Sequence, residues 1–131
     1  MVRRPSSKPN YVTVVADNPQ TIDVLYSYFT RAGVASNGTR ELDAGAMVPS
    51  AATALVLFPD DFGCADVQAT ILALRRARPK LLIVVVTGAP QHLGAALEPD
   101  GRSSLPLVLP RPAFGWTILD AIRGRANGLP P

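Results

Sequence analysis

The longest unbroken apolar run of the chain, Leu81-Leu82-Ile83-Val84-Val85-Val86, is closed by Thr87-Gly88. It is rich in β-branched residues, which suit a pleated strand. A run without polar alternation must be covered on both faces, as the inner strands of parallel sheets are. Pro79 ends the segment before it and Gly88 opens a turn after it. Thr87 is therefore expected at the carboxyl edge of a sheet, where open α/β folds hold their ligands. Ala51 to Phe58 is a second continuous run and predicts a second inner strand. Tyr11 to Val15 and Leu105 to Leu109 predict two more, and Val34 to Ser36 a short, weak one at an edge.

Helical periodicity fills the gaps between these runs. Asn18 suits an N-cap, with Pro19 at the first helical position. From Pro19 to Ala32 the residues Ile22, Leu25, Tyr26 and Phe29 form one apolar face, and Gly33 suits the left-handed end. Ala65 to Arg78 carries Val67, Ile71 and Leu74 on one face. Arg75, Arg76 and Arg78 crowd its end, where cations complement the helix dipole. A short helix is expected around Gln91 to Leu97 and a final one over Phe114 to Arg123. Glu41 to Met47 reads as a short helix weakened by Gly45 and stopped by Pro49. Strand and helix thus alternate five times. That order predicts an α/β fold, a doubly wound five-stranded parallel sheet with helices on both faces.

Composition sets bounds on this picture. The 131 residues make one domain, and 47% apolar with 18% charged residues describes a globular chain. The single cysteine, Cys64, forms no internal disulfide, no apolar run is long enough to span a bilayer, and a cytoplasmic location is expected. The net charge is +3, much of it from Arg3, Arg4 and Lys8 in the Pro- and Ser-rich stretch that opens the chain. The one histidine, His92, falls in an exposed-looking loop, which argues against a histidine-based triad, a single histidine excludes a multi-histidine metal site, and no glycine-rich turn follows the first strand.

Four short stretches, residues 14–18, 55–58, 85–88 and 109–114 (VVADN, LVLF, VVTG and LPRPAF), stand in order and at spacings that resemble those of the response-regulator receiver domains of two-component signalling. Val14-Val15-Ala16-Asp17-Asn18 stands where that family has an aspartate pair after the first strand. Leu55-Val56-Leu57-Phe58 stands where the third strand ends in the phosphate-accepting aspartate. Val85-Val86-Thr87-Gly88 matches the fourth strand with its switch Thr or Ser, and Leu109-Pro110-Arg111-Pro112-Ala113-Phe114 the lysine-proline-phenylalanine turn after the fifth. The resemblance covers about Tyr11 to Arg123 and implies a flavodoxin-like (CheY-like) strand order of 2-1-3-4-5. Residues 1–10 and 124–131 then read as flexible tails of a bacterial signalling domain spanning 11–123.

The family's chemistry needs a carboxylate that attacks a phosphoryl group, carboxylates that anchor a hard cation, and a lysine and a hydroxyl that hold the product. By this alignment the acceptor position is Phe58, one of the paired acids is Ala16, and the lysine is Arg111, leaving only Asp17 and Thr87 unchanged. The set Ala16, Asp17, Phe58, Thr87 and Arg111 is read as a degenerate phosphorylation pocket that holds no metal and needs no cofactor. Phe58 is expected to fill the phosphoryl space near Thr87 and Arg111, with an Asp17–Arg111 pair closing what remains. Asp60 and Asp61 lie just beyond Phe58 and read as a solvated turn capping the next helix. They are also the candidate alternative acceptors.

The expected function is that of a pseudo-receiver, a non-enzymatic module that binds a protein partner, a signalling protein or a second copy of itself. On the final helix Gly115, Ile118, Leu119 and Ile122 share the core face, which places Trp116 with Asp120 and Arg123 on another. Aromatic residues beside arginine anchor many interfaces, so Trp116, Asp120 and Arg123 form the expected partner surface. The alternatives are a divergent receiver phosphorylated on Asp60 or Asp61, and a small-ligand or nucleotide sensor at the carboxyl edge. A nucleic-acid binder using Arg3, Arg4, Lys8, Arg75, Arg76, Arg78 and Lys80 is the least favoured.

Overall fold

The computed structural model describes residues 10–43 and 48–126. A five-stranded parallel sheet runs in the order β2-β1-β3-β4-β5. Its strands are β1 (Tyr11–Val15), β2 (Ala35–Thr39), β3 (Ala54–Leu57), β4 (Leu82–Val86) and β5 (Leu107–Leu109). The helices are α1 (Pro19–Arg31), α2 (Cys64–Ala77) and α3 (Gly115–Ala126), with 3-10 segments at Pro59–Asp61 and Pro90–Leu97. This is the doubly wound, flavodoxin-like arrangement that the alternation and the resemblance predict.

The inner strands show why continuous apolar runs were needed. Along β3, Ala54, Val56 and Phe58 face one layer with α1 and α3, together with Val84, Val86 and Ile118. Leu55 and Leu57 face the other, with α2 and the second 3-10 segment, against Ile71, Leu74 and Ile83. Every residue of β3 and β4 is buried. Each fully buried Leu, Ile or Val contributes roughly 1.5–3 kcal/mol relative to exposure, so these two strands dominate the stability of the sheet.

The helix signals act as their chemistry requires. The Asn18 side chain accepts the Gln20 N–H at 2.9 Å, and Pro19 follows where its missing N–H costs nothing. Gly33 ends α1 at φ 80°, a left-handed conformation that glycine adopts without a Cβ penalty. Gly115 opens α3 against the ring of Tyr28 on α1, so close that an added Cβ would lie 2.7 Å from the ring.

Several boundaries differ from the periodicity. β2 begins at Ala35 and runs to Thr39, through polar residues of weak strand propensity. Pairing with β1 imposes the conformation, helped by the Thr13 hydroxyl donating to Asn37 Oδ1 at 2.8 Å. β3 starts at Ala54, since the preceding Thr53 hydroxyl accepts the Tyr11 N–H at 3.1 Å. α3 continues to Ala126, so residues 124–126 are helical and not tail. The expected helix at Gln91 to Leu97 is a 3-10 segment broken at Gly94, whose φ is 48°. In the Glu41–Met47 stretch, residues 41–43 are irregular and 44–47 lie outside the described residues, as do 1–9 and 127–131. Among the described residues no helix is long and apolar enough to cross a membrane.

Candidate functional site

The carboxyl ends of β1, β3 and β4 converge, and the turn Pro59–Asp61 stitches them together. Pro59 starts a 3-10 turn immediately after β3 and sends its two acids in opposite directions. Asp61 Oδ2 accepts the backbone N–H of Asp17, just past β1, at 2.9 Å. Asp60 turns toward β4, where its Oδ1 accepts the Thr87 hydroxyl at 2.5 Å and its Oδ2 accepts the Gly88 N–H at 3.1 Å. Arg111, on the turn after β5, completes the set with Nη1 3.4 Å from Oδ2. Asp60 and Asp61 therefore do not cap the following helix as expected, although Asp60 stays exposed. Gly63 is the cap residue of α2, and no side chain caps that helix.

Thr87 is 2% exposed, and its oxygen accepts the Ala89 N–H at 3.0 Å. That bond fixes the rotamer and leaves the hydroxyl proton for Asp60. Partial burial opposes ionisation of Asp60, but hydrogen bonds from Thr87, Gly88 and Arg111 outweigh it and hold the carboxyl below its ordinary value of 3.8. The group is an anion held by a hydroxyl, an amide and a guanidinium.

The expected Asp17–Arg111 pair does not form. Arg40 reaches back from beyond β2, donating through Nε to the Asp17 carbonyl at 2.7 Å and pairing with its carboxylate at 3.3 Å. Both side chains are more than half exposed, 57% and 58%, so the pair adds little to stability. Arg111 belongs to Asp60 instead. Phe58 is 8% exposed and sits in the layer shared with α1 and α3, while the space at Thr87 is taken by Asp60. Ala16 is buried in that same layer. Among the described residues no group of three His, Cys, Asp or Glu is gathered as a metal ion would need.

The basic cluster at the end of α2 is largely spent internally. Arg75 is 4% exposed and donates to the carbonyls of Ala96 and Glu98 at 2.9 and 2.6 Å and to the Ser103 hydroxyl at 2.8 Å. It also faces Asp100 at 3.5 Å, whose carboxyl is held well below its usual value chiefly by the N–H groups of Ser103 and Arg102. Arg78 donates to the carbonyls of Val48, Pro49, Ser50 and Ala52. Arg76 and Lys80 are left exposed. Cys64 donates its thiol proton to the carbonyl of His92 at 2.8 Å, an ordinary loop contact.

Trp116 is 56% exposed and stacks on Phe114, with ring centroids 4.7 Å apart and planes 9° from parallel. Asp120 and Arg123, further along α3, are also exposed. A groove of about 530 Å³ runs between α1 and the start of α3, lined by Val24, Tyr28, Phe58, Val86, Phe114 and Trp116 among others. Sequence periodicity located Trp116 but not the aromatic stack, because Phe114 lies just before the helix.

The fold is the response-regulator receiver fold. A signal receiver domain of an HD domain-containing protein from Pseudomonas fluorescens Pf-5 superposes with a TM-score of 0.70 at 12% identity, covering 98% of this chain and 94% of that one. A protein provisionally named as pilus assembly-related, from Burkholderia pseudomallei K96243, matches with a TM-score of 0.69 at 18% identity over 98% of both chains. A CheY-like receiver domain protein from Methanospirillum hungatei JF-1 matches with a TM-score of 0.61 at 14% identity, over 92% and 95%. Compared as a sequence, the chain matches no family model and no curated protein significantly.

Proposed function

We propose that the chain is a non-catalytic receiver-like module of two-component signalling that docks onto a protein partner and does not use aspartyl phosphorylation as its switch. One observation carries the reading. The position just past β3 is Phe58, and the carboxylate that reaches the switch hydroxyl, Asp60, is already engaged by three donors. A phosphoryl acceptor needs a free carboxylate oxygen for attack and a gathered cation to offset the charge. Asp17, the remaining member of the acid pair, is turned to Arg40.

The second reading, a divergent receiver phosphorylated on Asp60, draws on the same placement, since Asp60 lies beside Thr87 and Arg111. The test separates the two. The protein is incubated with acetyl phosphate and magnesium and its intact mass is measured. No added phosphoryl mass is expected. Stoichiometric modification mapped to Asp60 or Asp61 would establish the second reading in place of the first.

The partner surface is the face of α3 carrying Trp116, Asp120 and Arg123, widened by Phe114 and the α1 groove. A tryptophan that is more than half exposed gains little from the core, and its stacking on Phe114 pre-orders a flat aromatic platform at low entropic cost.

A further inference from the structure

The groove between α1 and the start of α3 is apolar on its floor and on both sides, and neither Asp60 nor Thr87 lines it. Leu25, Phe58 and Val86, all buried, make the floor. Val24 and Tyr28 form the α1 wall, and Phe114 and Trp116 face them. Single exposed apolar residues are ordinary, but here Val24, Phe114 and Trp116 are 66%, 51% and 56% exposed around one depression. Phe114 and Trp116 stack nearly parallel, so each fixes the plane of the other. Rings held in this way favour a further aromatic ring, offset or edge-on.

The charge of the lining is one-sided. It holds Arg31 and Arg111 and no Asp or Glu. Arg111 is paired with Asp60, whereas Arg31 has no ion-pair partner among the described residues. Val24, Tyr28 and Arg31 follow one another at helical spacing, so the free guanidinium ends the apolar wall of α1. Gly115 packs on the Tyr28 ring and brings its neighbour Trp116 to the same part of the groove. A guanidinium is a planar fork that matches a carboxylate with two parallel hydrogen bonds.

We infer that this groove binds a small aromatic acid, its rings against Phe114 and Trp116 and its carboxylate on Arg31. The volume of about 530 Å³ is of the size that holds small molecules. An acid meets no like charge in the lining, and a cation of the same shape meets two guanidinium groups. The inference goes beyond the docking role, because a bound acid fills the groove bordering the partner surface and becomes part of what a partner meets. Binding itself rests on the groove alone and stands whether or not Asp60 accepts a phosphoryl group.

The test uses Trp116, the single tryptophan of the chain, whose indole N–H gives one nuclear magnetic resonance signal. Naphthalene-2-carboxylate and 2-naphthylmethylammonium, the same ring with opposite charge, are titrated into the full chain, Arg31→Gln and Val24→Glu. In the wild type the carboxylate is expected to shift Trp116 saturably and to bind at least about tenfold tighter than the ammonium. Arg31→Gln is expected to remove that preference. Val24→Glu, at an exposed helical position, is expected to abolish carboxylate binding and leave the rest of the spectrum in place. No saturable shift in the wild type, equal affinity of the two probes, or a preference that survives Arg31→Gln each overturns the inference. A Trp116 signal that moves with protein concentration alone overturns it in favour of a second copy. An acidic amphipathic peptide that displaces naphthalene-2-carboxylate at a lower concentration overturns it in favour of a protein segment. Loss of the docking reading would be seen separately, in partner capture by Trp116→Ala.

Discussion

Asp60 does more at this site than any other residue, and its charge is what the neighbours hold. Its native carboxyl lies below the ordinary value of 3.8, so its ionised form stabilises the fold above that pH. The contribution fades as the pH falls through the lower native value. Asp60→Asn should therefore melt below the wild type at neutral pH, with the gap closing under acid once the wild-type carboxyl is protonated. Thermal unfolding of both proteins across an acid series checks this, and a gap that persists or widens at low pH contradicts it. The sequence announced Asp60 as a possible acceptor but not its destination. Only the turn set by Pro59 decides whether a carboxylate three residues past a strand returns or points to solvent. Arg40 was less legible still, because it leaves a weak strand toward a stretch without periodicity, and its pairing with Asp17 depends on β2 lying beside β1.

At the scale of elements, burial on both faces made β3 and β4 readable, and the absence of it blurred the rest. β2 is polar and borrows its shape from β1, whereas the 3-10 segment at Pro90–Leu97 has apolar residues but a kink at Gly94 that periodicity does not register. The contact between α1 and α3 is sharper. Gly115→Ala places a methyl 2.7 Å from the ring of Tyr28, and overpacking of this kind costs roughly 1–3 kcal/mol. Denaturant unfolding should show that loss in Gly115→Ala and recover part of it when Tyr28→Ala is added. Strict additivity of the two changes would mean that the helices adjust without strain.

For the whole molecule, the question is which surface meets a partner. Trp116→Ala should weaken partner capture or self-association at least tenfold, the cost of about 1.4 kcal/mol or more for a lost anchor, while leaving the melting temperature within a few degrees. Sedimentation and calorimetry measure the two effects side by side, and a lower melting temperature with intact association assigns Trp116 to packing alone. The short fifth strand narrows the choices in a further way. β5 is an outer strand of only three residues, Leu107–Leu109, with Pro106 before it and Pro110 and Pro112 after it. Proline has no N–H to offer an incoming chain, and so short a border gives a stranger almost no ladder to extend. Growth of the sheet into a neighbour is blocked on that side, so copies or partners arriving there must recognise side chains and not backbone. The proline-bracketed border thereby favours selective meetings over indiscriminate stacking.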